Sequence, residues 1–206
     1  MTHSVRVALM GALVVVSVGV GLWFGSQAPH RNAPTSEQTT QGYPNLGGEF
    51  TLESASGPLS LSDLRGKVVP IYFGYTYCPD ICPTTLGAVT AAIEKLEPEE
   101  QTQVQGLFIS VDPERDTPER VSEYAGHFHA NIEGLTGSPD VIADIAKRYF
   151  VIYEKVEMED SAMGYAVDHS SILYVVGKDG VVNSLVHHGS TPDDILASLR
   201  QALQDT

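Results

Sequence analysis

Hydrophobic and polar positions divide the chain into three regimes. From Val7 to Phe24 (VALMGALVVVSVGVGLWF) no charge interrupts the apolar run. As a helix these 18 residues would span about 27 Å, close to the hydrocarbon thickness of a bilayer. From Gly25 to Gly47 the chain is rich in Ser, Gln, Thr, Pro and Asn and lacks apolar periodicity, which predicts a flexible tether. From Gly48 to Thr206 apolar residues return in short blocks with strand-like and helix-like periods, the pattern of one folded domain.

Inside that domain, Phe50-Thr51-Leu52 and Leu59-Ser60-Leu61 predict short strands or a hairpin. Val68 to Tyr75 (VVPIYFGY) reads as a strand covered on both faces, although Pro70 is awkward in a central strand. Thr84 to Leu96 has helical periodicity, and Val104 to Val111 reads as a second buried strand. Thr117-Pro118-Glu119 and Ser138-Pro139-Asp140 each open a helix, with a hydroxyl as N-cap and Pro in the first turn; the second runs to about Tyr149. Phe150 to Lys155 suits a short strand. Ile172 to Val176 and Val181 to Val186 flank Gly177-Lys178-Asp179-Gly180, a hairpin signal, and Thr191-Pro192 starts a last amphipathic helix ending near Leu203. A βαβ unit followed by ββα implies an α/β domain with a mixed central sheet flanked by helices, the order of a thioredoxin-like fold.

Charge gives the apolar run a direction. Arg6 is the firm positive charge before it, so the positive-inside rule keeps the N-terminus cytoplasmic and exports the rest, with Trp23 at the outer interface. Residues 1–24 then form a cytoplasmic stub and transmembrane helix, 25–47 a linker and 48–206 the domain. A cleaved signal peptide competes: Ser26-Gln27-Ala28 resembles a cleavage site, but Pro29 follows it directly. Either reading places the domain outside the cytoplasm. The whole chain has 26 acidic and 12 basic residues, net −14. Arg6, Arg31 and Glu37 are the charged residues before Gly48, which leaves the domain with 10 basic and 25 acidic residues, net −15. Such acidity argues against nucleic acid as a partner, because phosphate binding needs clustered Lys and Arg.

Two cysteines exclude a multi-disulfide scaffold and a four-cysteine zinc site. Cys78 and Cys82 lie between a predicted buried strand and a predicted helix start. On a helical turn their four-residue spacing would put both sulfurs on one face, where the helix N-terminus stabilises thiolates. Two adjacent thiolates make a soft metal site that lacks one or two ligands. A structural disulfide remains open, although the short loop would contribute little chain entropy. A redox-active pair remains open as well.

These residues carry a resemblance. GKVVPIYFGYTYCPDICPTTL (Gly66 to Leu86), VDPERDTPE (Val111 to Glu119) and DHSSILYVV (Asp168 to Val176) resemble the three signature blocks of the Sco/SenC copper-delivery family, in order and spacing through the whole domain. The resemblance implies a thioredoxin-like domain tethered by one helix to the inner (cytoplasmic) membrane and facing the periplasm. It implies copper, Cu(I) or Cu(II), held by Cys78, Cys82 and His169, and a metallochaperone role in assembling the CuA centre of cytochrome c oxidase. The implied partners are the CuA-bearing subunit, a periplasmic copper donor chaperone and a thiol reductant. Tyr77 stands where many relatives have His.

The other histidines have ordinary readings. His3 and His30 precede the domain, His127 and His129 end a helix, and His187 and His188 follow the last strand. Asp80 reads as a cap of the following helix, with tuning of the site as the alternative, Asp112 to Asp116 as a tight structural or docking loop, and Tyr75, Thr76 and Tyr77 as walls of the site. Met158 and Met163 are soft donors that a loop position already explains. The rival function is a thiol–disulfide oxidoreductase that reduces the cysteines of the copper-accepting subunit, with Cys78 and Cys82 as its redox pair. A peroxidase is a third and remote reading, which rests on the fold alone.

Overall fold

A computed structural model of the chain describes residues 42–158, 161 and 163–205. The apolar segment Val7 to Phe24 lies outside them; among the described residues no helix is long and apolar enough to cross a membrane.

The chain opens with a hairpin, β1 (Thr51–Ser54) and β2 (Gly57–Ser60), and a 3-10 turn (Leu61–Leu64). It continues as β3 (Val69–Gly74), α1 (Ile81–Glu94), a single turn α2 (Pro98–Gln101), β4 (Gly106–Ser110), α3 (Pro118–Gly126), β5 (Ile132–Leu135) and α4 (Pro139–Arg148). A second hairpin, β6 (Tyr153–Glu157) and β7 (Tyr165–His169), leads to β8 (Ile172–Val176), β9 (Val182–His187) and α5 (Pro192–Gln204).

The central sheet has the order β5-β4-β3-β8-β9. β3, β4 and β5 run parallel, and β8 and β9 add antiparallel. This is the predicted mixed α/β architecture with the thioredoxin-like order. All six residues of β3 and all five of β4 are buried, so both faces of the sheet centre are covered. Pro70 is tolerated because of its place in the ladder. Val68 N and O bond toward the β4 side, to Gln103 O and Gln105 N. Pro70 lies between this isolated Val68–Val104 bridge and the β3–β4 ladder that starts at Ile71↔Leu107, so its missing N–H falls where the pairing is interrupted.

The helix starts follow their caps. The hydroxyls of Thr117, Ser138 and Thr191 accept from Arg120 N, Val141 N and Asp194 N, with Pro at the following position each time. The structure differs from the sequence reading at several points. α1 starts at Ile81, before Thr84; β6 lies at Tyr153–Glu157, later than Phe150; and β5 and β7 are strands that the pattern had not marked. The end of the predicted tether also packs on the domain: Tyr43 N donates to Val182 O (2.6 Å), Gly47 N donates to Arg148 O (2.8 Å), and Leu46 packs against the core.

Candidate metal centre

The site forms where β3 ends. Gly74 hands the chain to the loop Tyr75 to Asp80, which turns tightly with Cys78 N donating to Tyr75 O (3.2 Å). Cys82 is the second residue of α1, whereas Cys78 lies outside the helix. The two sulfurs therefore meet through the turn and not along one helical face. Cys82 N donates to Cys78 Sγ (3.4 Å), so a free N–H of the first helical turn points at that sulfur. Asp80 occupies the N-cap position but makes no side-chain cap bond, contrary to its predicted role. The Cys78 sulfur serves as acceptor there instead.

Gly74 has a specific purpose. A Cβ at this position would lie 2.7 Å from Cys82 Sγ and 2.8 Å from Phe108, so only glycine lets the sulfur sit against the strand end.

His169 closes β7 and reaches the pair from the opposite side. Its Nε2 is 3.4 Å from Cys82 Sγ, and Nδ1–H donates to Ser170 O (3.3 Å). That bond fixes the tautomer in which Nε2 carries the free lone pair. The ring sits edge-on between Tyr72 and Tyr75, with centroids 6.1 and 6.0 Å away. The donor atoms of Cys78, Cys82 and His169 all lie within 4.8 Å of one another, and among the described residues they are the one such cluster of His, Cys and acidic side chains.

No disulfide joins the two cysteines. A hydrogen bond from the Cys82 thiol holds Cys78 far below the ordinary thiol range, at about 3, against the opposing effect of burial; the Cys82 backbone N–H adds a smaller part. The same thiol bond, together with burial, pushes Cys82 far up. The pair thus keeps one proton, on Cys82, and presents one thiolate. Burial likewise pushes the Tyr72 phenol up, and its hydroxyl pairs with Ser171 Oγ at 2.8 Å.

The remaining candidates fall elsewhere. His127 caps α3 and donates through Nδ1 to Glu123 O, His129 Nδ1 accepts from Asn131 N, and His188 Nδ1 pairs with Thr85 Oγ1. His187 is exposed at the end of β9, and His3 and His30 lie outside the described residues. Met158 is exposed, and Met163 enters the hydrogen-bond network through its carbonyl. Of the three predicted wall residues, Tyr75 lines the imidazole. Thr76 is tied to Asp116, and Tyr77 lies over Arg115. Gly74 and Tyr72 had no role in the sequence reading; each acts through a contact across the fold that no local pattern displays.

Comparison with known proteins follows this geometry. Residues 38–204 match the SCO1/SenC family model. Protein SCO1 homolog 1, mitochondrial, of Arabidopsis thaliana is 40% identical over 172 residues, covering 80% of this chain and 50% of that protein; the chain thus spans half the length of that relative. The crystal structure of Arabidopsis thaliana ScoI with copper bound aligns with a TM-score of 0.72 at 38% identity, over 78% of this chain and 99% of that one. BsSco, a member of the Sco family of cytochrome c oxidase assembly proteins in which a disulfide switch is identified, aligns with a TM-score of 0.64 at 29% identity, over 82% and 100% of the two chains. With the family match spanning the folded domain and the cysteine–histidine cluster at its sheet end, the chain belongs to the SCO1/SenC family.

Proposed function

We propose that the protein is a copper metallochaperone that helps assemble the CuA centre of cytochrome c oxidase. The observation that carries this reading is the convergence of Cys78, Cys82 and His169 within 4.8 Å. Two sulfurs and one imidazole are a soft donor set, suited to Cu(I) and able to hold Cu(II). Three ligands leave one side open for transfer. Copper is the cargo, and the CuA-bearing subunit is its recipient. A periplasmic donor chaperone supplies the metal, and a thiol reductant keeps the pair competent. The copper-bound Arabidopsis neighbour and the oxidase-assembly description of BsSco support this reading. The apolar run Val7 to Phe24 supports an anchor in the inner membrane, with the domain in the periplasm.

The test is metal stoichiometry. The anaerobically reduced protein binds one copper; Cys78→Ser and Cys82→Ser each lose tight binding of Cu(I) and Cu(II), and His169→Ala loses tight binding of Cu(II). Unchanged stoichiometry in all three variants would remove the assignment.

One observation favours a second activity, thiol–disulfide exchange. Cys78 is the thiolate and is 8% exposed, while Cys82 is fully buried and keeps its proton, the division between an attacking and a resolving thiol. Reduction of the recipient's cysteines at an unchanged rate in copper-free His169→Ala would select this activity over metal delivery.

A further inference from the structure

The loop Asp112 to Asp116 follows β4 and touches both halves of the site. Asp116, 1% exposed, accepts from Thr76 N (3.0 Å) and Thr76 Oγ1 (2.6 Å), two residues before Cys78, and from Ser110 Oγ (2.6 Å). Arg115 turns the other way. Its Nε donates to the fully buried Asp112, and its Nη1 donates to Tyr165 O (3.0 Å) and Met163 O (3.3 Å), where β7 begins. Its guanidinium carbon lies 3.7 Å from the Tyr165 ring centroid and 4.8 Å from that of Tyr77. Tyr165 OH closes the ring of contacts by donating to Asp112 Oδ1 (2.8 Å).

This matters because β6 and β7 form a separate two-stranded sheet. β6 is exposed along four of its five residues, and β7 fully buries only Val167. A two-stranded ribbon is marginal without outside support. Its further ties are the core packing of Val167, with Tyr153 and Tyr165 against that core, an exposed Lys155–Glu114 ion pair, and the bonds between Ile152 and Ser170. Among these, none grips the backbone where β7 begins as Arg115 does. Yet β7 ends on His169.

Resting on the copper reading above, we propose that Arg115 is a positioning residue that holds His169 at ligand distance from the cysteine pair. Asp116 fixes the cysteine loop and Arg115 fixes the histidine hairpin, so one five-residue loop sets the separation of the two halves. The consequence differs between copper states. Cu(I) is satisfied by two sulfurs, whereas Cu(II) depends on the imidazole nitrogen. Loss of Arg115 therefore separates the two.

The test uses the full chain. Wild-type protein loaded with Cu(II) shows imidazole nitrogen coupling in electron paramagnetic resonance, and His169→Ala loses it; failure of either overturns the copper reading and this inference with it. Arg115→Gln is expected to lose the coupling and to bind Cu(II) at least about tenfold more weakly, while Cu(I) stoichiometry stays at one. In metal-free protein its amide exchange across β6 and β7 rises by about tenfold, while α1 is unchanged. The inference needs both the lost coupling and the faster exchange; persistence of either wild-type behaviour overturns it and leaves the copper site standing. If Arg115→Gln does not fold, Arg115→Lys decides by the same two readouts. An ammonium can pair with Asp112 but cannot also span the two carbonyls in the plane of Tyr165.

Discussion

At the residue scale, Cys78 and Cys82 respond to pH in opposite directions. Folding lowers Cys78 to about 3, so between that value and the ordinary 9.0 the folded protein holds a thiolate where the unfolded chain holds a thiol. Stability from this group is present above 9.0, declines as pH falls, and is lost near pH 3. Folding raises Cys82, so its contribution is present below 9.0 and is lost as pH rises above it. The ultraviolet absorbance of metal-free reduced protein should show one thiolate from neutral pH down to about pH 4, and the second only in strong alkali. Cys78→Ser should abolish the neutral-pH signal. Two thiols titrating together near 9.0 would contradict the shared proton. The cysteines and His169 were legible in the sequence because they sit in compact motifs. Gly74 was not, because its need arises from Cys82 Sγ, which approaches it only in the folded chain.

At the scale of elements, local signals were read correctly and non-local ones were missed. Thr117, Ser138 and Thr191 announce their helices because a cap bonds within three residues. β5 is four residues long and holds Gly134, where a Cβ would lie 2.0 Å from Val121 O; packing under α3 defines it, not periodicity. β7 depends on β6 and on Arg115, so YAVDH alone shows too little. Asp80 looked like a cap by position, yet the Cys78 sulfur accepts the helix N–H. The same distinction yields a prediction for Asp116, which closes the cysteine loop from 40 residues away. Asp116→Ala leaves Thr76 N and two hydroxyls without their acceptor. The expected cost is about 3 kcal/mol in denaturant unfolding, with weaker copper binding in both oxidation states. That pattern contrasts with Arg115, whose loss is selective for Cu(II). A cost below about 0.5 kcal/mol would show that the loop holds its shape without Asp116.

For the whole molecule, the −15 of the domain matters most where it adjoins the site. Asp80 lies between the cysteines and Asp168 precedes His169, and both are exposed. Neither carboxylate is used in the fold as a cap or an ion pair among the described residues. They are therefore free to act at a distance, on a partner approaching the open side of the cluster. A field of this kind speeds encounter with a basic partner surface more than it strengthens the final complex. It also fades once salt shortens the screening length to about 10 Å at 0.1 M. Association with the CuA-bearing subunit should slow by about tenfold between 0.02 and 0.2 M salt, with dissociation little changed. Asp80→Asn with Asp168→Asn should reproduce part of that slowing at low salt and lose its effect at high salt. Stopped-flow rates over that range decide it: an association rate indifferent to salt, or a double variant that acts equally at both ends, would mean that the acidic rim does not face the partner and that its charge serves only to keep the domain apart from its own copies.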